Sequence, residues 1–169
     1  GTFVRACEVR ALGAAGAPVQ ERLAAARLLL ALDPTSRQGL EGAARAHDLL
    51  GQRDSAAARW VALVRTGEDD AELTTRVAYA LLEHGNSLVA ESLAVAAESR
   101  FAGDPRLLDV RWITARQNRH WPLAVASGEK LLETDGERAA DSAFFVRLVD
   151  AHREHGTHLR ALELSSRAV

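Results

Sequence analysis

The chain has 169 residues, enough for one domain that buries about 70% of its unfolded surface. Its hydrophobic 47% is mostly Ala, Leu and Val with only 5% aromatics, and its 4 Pro and 12 Gly fall between apolar-periodic stretches; this excludes a bulky sheet core and points to an all-helical fold. A net charge of −2 excludes the electrostatic footprint of a nucleic-acid binder, the single Cys7 excludes an internal disulfide, and no apolar run approaches the ~18 residues of a membrane span.

In chain order, apolar periodicity predicts helices over 3–15, 19–32, 36–50, 54–66, 70–84, 87–101, 105–118, 121–134, 140–155 and 158–168. Cys7 lies on the first of these; with no base placed beside it, it reads as a small core residue and not as a nucleophile. The segment "RLAAARLLLALDP" closes the second helix at Asp33-Pro34. Asp54 is expected to cap the fourth helix, and Glu68, Asp69 and Asp70 stand where the fifth begins, complementing its positive end. Asp104-Pro105 pairs a cap with a first-turn proline, and Trp121-Pro122 opens the next helix likewise. His152, His155 and His158 are spaced by three, but Gly156 separates the last two and is expected to end a helix, so packed or solvated histidines are expected, not a metal site. Trp60, Trp112 and Trp121 should pack between neighbouring helices, Trp121 having the alternative of lining a partner site. No Gly-rich phosphate loop follows a strand, and no strand is evident, so neither a catalytic residue nor a cofactor is expected.

Small residues recur at a fixed interval. "GQRDSAAARW" from Gly51, "GNSLVAESLA" from Gly85, "RHWPLAVASG" from Arg119 and "GTHLRALELS" from Gly156 align on Ala56, Ala90, Ala124 and Ala161. The intervals are 34, 34 and 37 residues, the loop "ETDGERAAD" absorbing the extra three.

Two amphipathic helices in a 34-residue period resemble the tetratricopeptide repeat. The resemblance covers essentially the whole chain and implies an α-solenoid of about five helix–turn–helix repeats, over 3–34, 37–70, 71–104, 105–138 and 142–169, wound into a right-handed superhelix. The family's inter-helix glycine becomes Gly51, Gly85 and Gly156, with Arg119 departing; its early large residue in helix A becomes Leu40, Thr74, Leu108 and Phe145. Its small mid-helix residue becomes Ala44 and Ala78, where Trp112 departs, and its bulky helix B residue becomes Trp60, where Ala94, Gly128 and Ser165 are small.

The family's ligand positions on helix A, transferred residue by residue, are Gln38, Glu41, Arg45, Asp48 and Leu49; then Glu72, Thr75, Tyr79, Leu82 and Glu83; then Arg106, Asp109, Ile113, Arg116 and Gln117; and finally Ala143, Val146, Asp150, Arg153 and Glu154. The clamp positions hold Glu41, Arg45, Thr75, Tyr79, Asp109 and Ile113, which do not make up the set of Lys, Asn and Arg with which co-chaperone repeats hold a terminal carboxylate. The resemblance therefore implies a non-enzymatic scaffold whose concave groove takes a protein or peptide. Terminal repeats are expected to self-associate, with no nucleic acid bound and no membrane insertion. The chain opens on Gly1-Thr2, contains no Met and stops at Val169 within a helical pattern, which reads as a fragment of a larger bacterial protein. "FAGDPRLLDVRW" and "RHWPLAVASGEKLLE" resemble repeats beside glycosyltransferase domains or in polysaccharide-export proteins; the alternative is the sensing or oligomerising module of a transcription regulator. A cytoplasmic location is expected, or a periplasmic one for an export protein.

Overall fold

The computed structural model describes residues 16–67, 70–138 and 141–167. The expected 3–15 helix with Cys7, and the acids Glu68 and Asp69, lie outside them. Among the described residues all regular structure is helical: α1 (Val19–Leu32), α2 (Arg37–Leu49), α3 (Arg53–Arg65), α4 (Ala71–Glu83), α5 (Ser87–Ala97), α6 (Pro105–Gln117), α7 (Trp121–Thr134), α8 (Ser142–His155) and α9 (His158–Arg167). The helices alternate: α2, α4, α6 and α8 are the A helices of successive hairpins, and α3, α5, α7 and α9 the B helices.

Each A helix starts on a capping side chain. Ser36 Oγ accepts from Gly39 N at 3.2 Å, Asp70 Oδ1 from Leu73 N at 2.8 Å, Asp104 Oδ1 from Arg106 N at 2.9 Å and Asp141 Oδ1 from Ala143 N at 2.9 Å. These four caps are separated by 34, 34 and 37 residues, the same intervals as the alanines. A short side-chain acceptor satisfies amide donors that a helix start otherwise leaves unpaired.

The B helices begin differently. Gln52 and His120, at the starts of α3 and α7, make no side-chain capping bond; the preceding turn does the work. In that turn Gln52 N donates to His47 O (2.9 Å) and Gly51 N to Asp48 O (3.0 Å), the Schellman pattern. The same pair of bonds recurs at Arg119–His120 and at Gly156–Thr157. The residue after each A helix must therefore take a positive φ, and Gly51 (+68°), Gly85 (+79°) and Gly156 (+88°) do so at little steric cost. Arg119 takes it too, at +58°. Its departure from glycine changes the residue and leaves the turn intact.

Two sequence expectations are corrected. Asp54 does not cap α3, which begins one residue earlier at Arg53; it sits in the first turn, where its charge complements the helix dipole. The helix from Ser87 ends at Ala97, not at residue 101. Beyond it the bonds Glu98 N to Val95 O and Arg100 N to Ala97 O tighten to three-residue spacing, and Gly103 at φ +84° turns the chain towards the Asp104 cap.

The described residues divide into two compact units, one holding residues 16–67, 70–73 and 83–86, the other residues 74–82, 87–138 and 141–167. In the first, α1 packs on α2 and α2 on α3, with Leu23, Ala26, Ala43 and Ala46 at the contact. In the second, α5 to α9 pack each on the next, and Ala78 of α4 meets Ala94 and Val110. Ala56, Ala90 and Ala124 are 0% exposed and Ala161 3%. Methyl-sized side chains at these positions let helix backbones approach closely, which is what the recurrence implied.

The second unit's core solves its departures by exchanging sizes. Trp112 is large where Ala44 and Ala78 are small, and Gly128 lacks a side chain where Trp60 is bulky. A Cβ on Gly128 would stand 2.8 Å from Trp112 Cζ3 and 2.6 Å from Leu148 Cδ1. The indole therefore fills the volume Gly128 vacates, and it stacks at a tilt on Phe144, with centroids 5.4 Å apart. Trp60 and Trp112 are buried as expected, and Trp121 is half-buried against the same core.

Candidate functional site

In the first unit, Gln38, Glu41 and Arg45 project from α2 at spacings of three and four. With Arg22, Ala25, Ala26 and Leu29 of α1 they line an open cleft of about 270 Å³, floored by alanine and leucine and rimmed by charge. Arg45 Nη2 donates to Glu41 Oε1 at 2.6 Å, so the rim is partly neutralised by its own pair. Asp48 faces the other way. Its side chain is only 2% exposed; Oδ2 accepts from Trp60 Nε1 at 2.8 Å and lies 3.6 Å from His84 Nε2. Glu72 is exposed in the first turn of α4.

In the second unit, Thr75 is buried and Leu82 half-buried on α4. The Tyr79 hydroxyl donates to Asp109 Oδ2 at 2.8 Å, and Arg138 Nη2 donates to Asp109 Oδ1 at 2.5 Å. Burial first, then this bond to Asp109, raises the Tyr79 pKa. Two residues expected to meet a ligand thus meet each other, clipping α4 to α6.

Arg116, Ile113, Asp150 and Arg153 remain on the outward surfaces of α6 and α8. The Arg116 guanidinium stacks on the Trp112 ring at 4.9 Å and is half-buried, as is Ile113; Asp150 and Arg153 are exposed and 3.9 Å apart. Burial first and the charge of Arg147 second lower the Arg116 pKa, with Asp150 opposing them. Arg147 was not among the sequence candidates; its spacing of three from Asp150 puts it on the same face and was the available signal.

The histidines are accounted for by packing. His152 is buried, its Nε2 donating to Glu129 Oε1 at 2.9 Å and its Nδ1 lying 2.7 Å from Thr157 Oγ1, while His155 and His158 are exposed. Among the described residues no cluster of His, Cys, Asp or Glu has metal-binding geometry, and no helix is long and apolar enough to cross a membrane.

No protein-family model matches the sequence, and no curated protein does either. Solved structures do. MamA from Desulfovibrio magneticus RS-1 superposes with a TM-score of 0.65 at 14% identity, over 97% of this chain and 93% of that one. A second MamA structure gives 0.63 at 13% identity, over 89% and 80%. YrrB, described as a TPR protein with an unusual peptide-binding site, gives 0.62 at 16% identity, over 89% and 76%. The chain has the tetratricopeptide-repeat fold, an all-α helical repeat.

Proposed function

We propose that the chain is a non-enzymatic protein-binding scaffold whose contacts come from the outward faces of its A helices. The contact set is Gln38, Glu41, Arg45 and Glu72 in the first unit and Leu82, Ile113, Arg116, Asp150 and Arg153 in the second. Asp48 and Thr75 stand apart, because a partner would reach them only by displacing their neighbours; Tyr79 and Asp109 contribute by holding α6 in place. The observation that carries this reading is the open cleft at Gln38, Glu41 and Arg45: a shallow apolar floor with a charged rim suits a peptide or helix. The peptide-binding site named for YrrB supports the same reading through the shared fold.

Pulldown with the wild type against Arg45→Glu combined with Arg116→Glu tests it. Partner recovery is expected to fall at least tenfold; equal recovery removes these faces from the contact set.

A second copy of the chain is the other partner, since Leu159 (85% exposed) and Leu162 (65%) leave an apolar face on α9. The setting we infer is a larger bacterial protein serving glycosyltransferase or polysaccharide-export machinery. It rests on the likeness of residues 101–112 and 119–133 to repeats of such proteins. A neighbouring nucleotide-sugar-binding domain would support that setting, and a neighbouring DNA-binding helix-turn-helix would replace it with the regulator reading.

A further inference from the structure

We propose that the cleft between α1 and α2 seats an apolar side chain of a peptide partner, and that Arg22 on its rim pairs with a carboxylate neighbouring that side chain in the same peptide. The inference rests on the scaffold reading above and names the chemistry of what the first unit binds.

Two glycines of α2 stand three residues apart, and they are glycine for different reasons. A Cβ on Gly39 would lie 3.0 Å from Leu30 Cγ and 3.2 Å from Leu29 Cβ, so the close approach of α1 requires its absence. A Cβ on Gly42 would meet only Ala26 Cβ, at 3.4 Å, which is an ordinary contact. Packing does not account for Gly42, and a glycine inside a helix weakens it relative to alanine. The missing side chain instead opens the cleft: Gly42 lies on its wall with Ala25, Ala26 and Leu29, and a larger residue would take up the space. At about 270 Å³ the cleft falls below the roughly 300–1,000 Å³ of sites that enclose a whole small molecule, and it suits one or two side chains.

The rim carries two cations and one anion. Glu41 is matched by Arg45 at 2.6 Å. Arg22 is half-buried, and among the described residues it has no ion-pair or hydrogen-bond partner; nor has the exposed amide of Gln38. The surplus is one positive charge beside an apolar wall, which favours an acidic over a basic neighbour for the seated side chain. Gln38, with both donors and an acceptor, suits the backbone of the peptide. A nucleic acid is disfavoured, because its phosphates need a run of cations and would leave the alanine and leucine wall uncovered.

The test uses the whole chain and a fluorescein-labelled octapeptide of alternating Glu and Leu, read by anisotropy, beside its Lys–Leu and Glu–Ala counterparts. The Glu–Leu peptide is expected to bind about tenfold more tightly than either counterpart and to weaken as salt is added. Arg22→Gln should weaken it about tenfold, and Arg59→Gln, on an exposed residue of α3 outside the cleft, not at all. Gly42→Leu should abolish binding. Gly42→Ala should weaken it while raising the melting temperature by about 2 °C, which separates loss of binding from loss of fold. Failure of the wild type to bind the Glu–Leu peptide, tighter binding of either counterpart, or unchanged binding by Arg22→Gln or Gly42→Leu overturns the inference. If it is overturned while the pulldown above shows the expected loss, the partner chemistry is wrong and the contact faces stand.

Discussion

Gly128 and Trp112 show how a single pair of residues can break a repeat pattern twice and still keep the hairpin. On helix propensity alone, Gly128→Ala should stabilise α7 by about 0.5–1 kcal/mol. The new methyl would stand within 3 Å of both Leu148 and the indole, and overpacking of this kind costs about 1–3 kcal/mol. Overpacking wins, because Leu148 is fully buried and the ring cannot swing aside. Urea unfolding is expected to show Gly128→Ala less stable than wild type by about 1 kcal/mol, and to show the loss recovered when Trp112→Leu is added. Arg119 runs the opposite way. An L-residue in the left-handed region costs about 1–2 kcal/mol, whereas glycine adds back about 0.4–1 kcal/mol of unfolded-state entropy. Arg119→Gly should therefore raise stability by about 0.5–1 kcal/mol, and Gly156→Ala should lower it in the same assay.

At the scale of the helix, the A and B members of each hairpin are started by different chemistry, and only part of that was legible beforehand. Asp104 was readable as a cap because a proline follows it. Ser36, Asp70 and Asp141 have no such marker, and they emerge as caps only once their hydrogen bonds place them in the same register. Asp54 misled because an acid fits either the cap or the first turn, and the Schellman bonds of Gly51 and Gln52 had already started α3. Between helices, Glu129 of α7 accepts from Arg160 Nε at 2.7 Å, Arg160 Nη2 at 2.8 Å and His152 Nε2 at 2.9 Å, tying α7 to α8 and α9. The bonds from Arg160, above all, hold the Glu129 pKa below its ordinary value near 4.5. A depressed carboxylate pKa contributes stability that is present above the ordinary value and is lost as pH falls through the folded one. Glu98, lowered chiefly by its bond from Arg111, and Asp104, lowered chiefly by Arg106, act in the same direction. Melting temperature should thus fall as pH drops below about 4.5, and Glu129→Gln should flatten that decline while lowering stability at neutral pH by roughly 1 kcal/mol. An unchanged acid limb in Glu129→Gln would show that the clip does not set it.

For the molecule as a whole, the exposed leucines of α9 make self-association measurable. Sedimentation across a concentration series should show the wild type shifting to larger species and Leu159→Glu, Leu162→Glu staying monomeric; a wild type that remains monomeric throughout would remove α9 as a self-contact. The repeat length, the helix order and the burial of Ala56, Ala90, Ala124 and Ala161 were determined by the sequence itself. Each is a local or periodic property: a small side chain every 34 residues has no other economical use than close helix packing. Which polar residues are taken up by bonds within the protein was decided only by the tertiary structure. Tyr79 with Asp109 and Asp48 with Trp60 are separated by 30 and 12 residues, and only folding sets whether such groups satisfy one another. The physical reason is that periodicity specifies which face a residue occupies, while hydrogen bonds and charge pairing depend on which neighbour the fold brings opposite it.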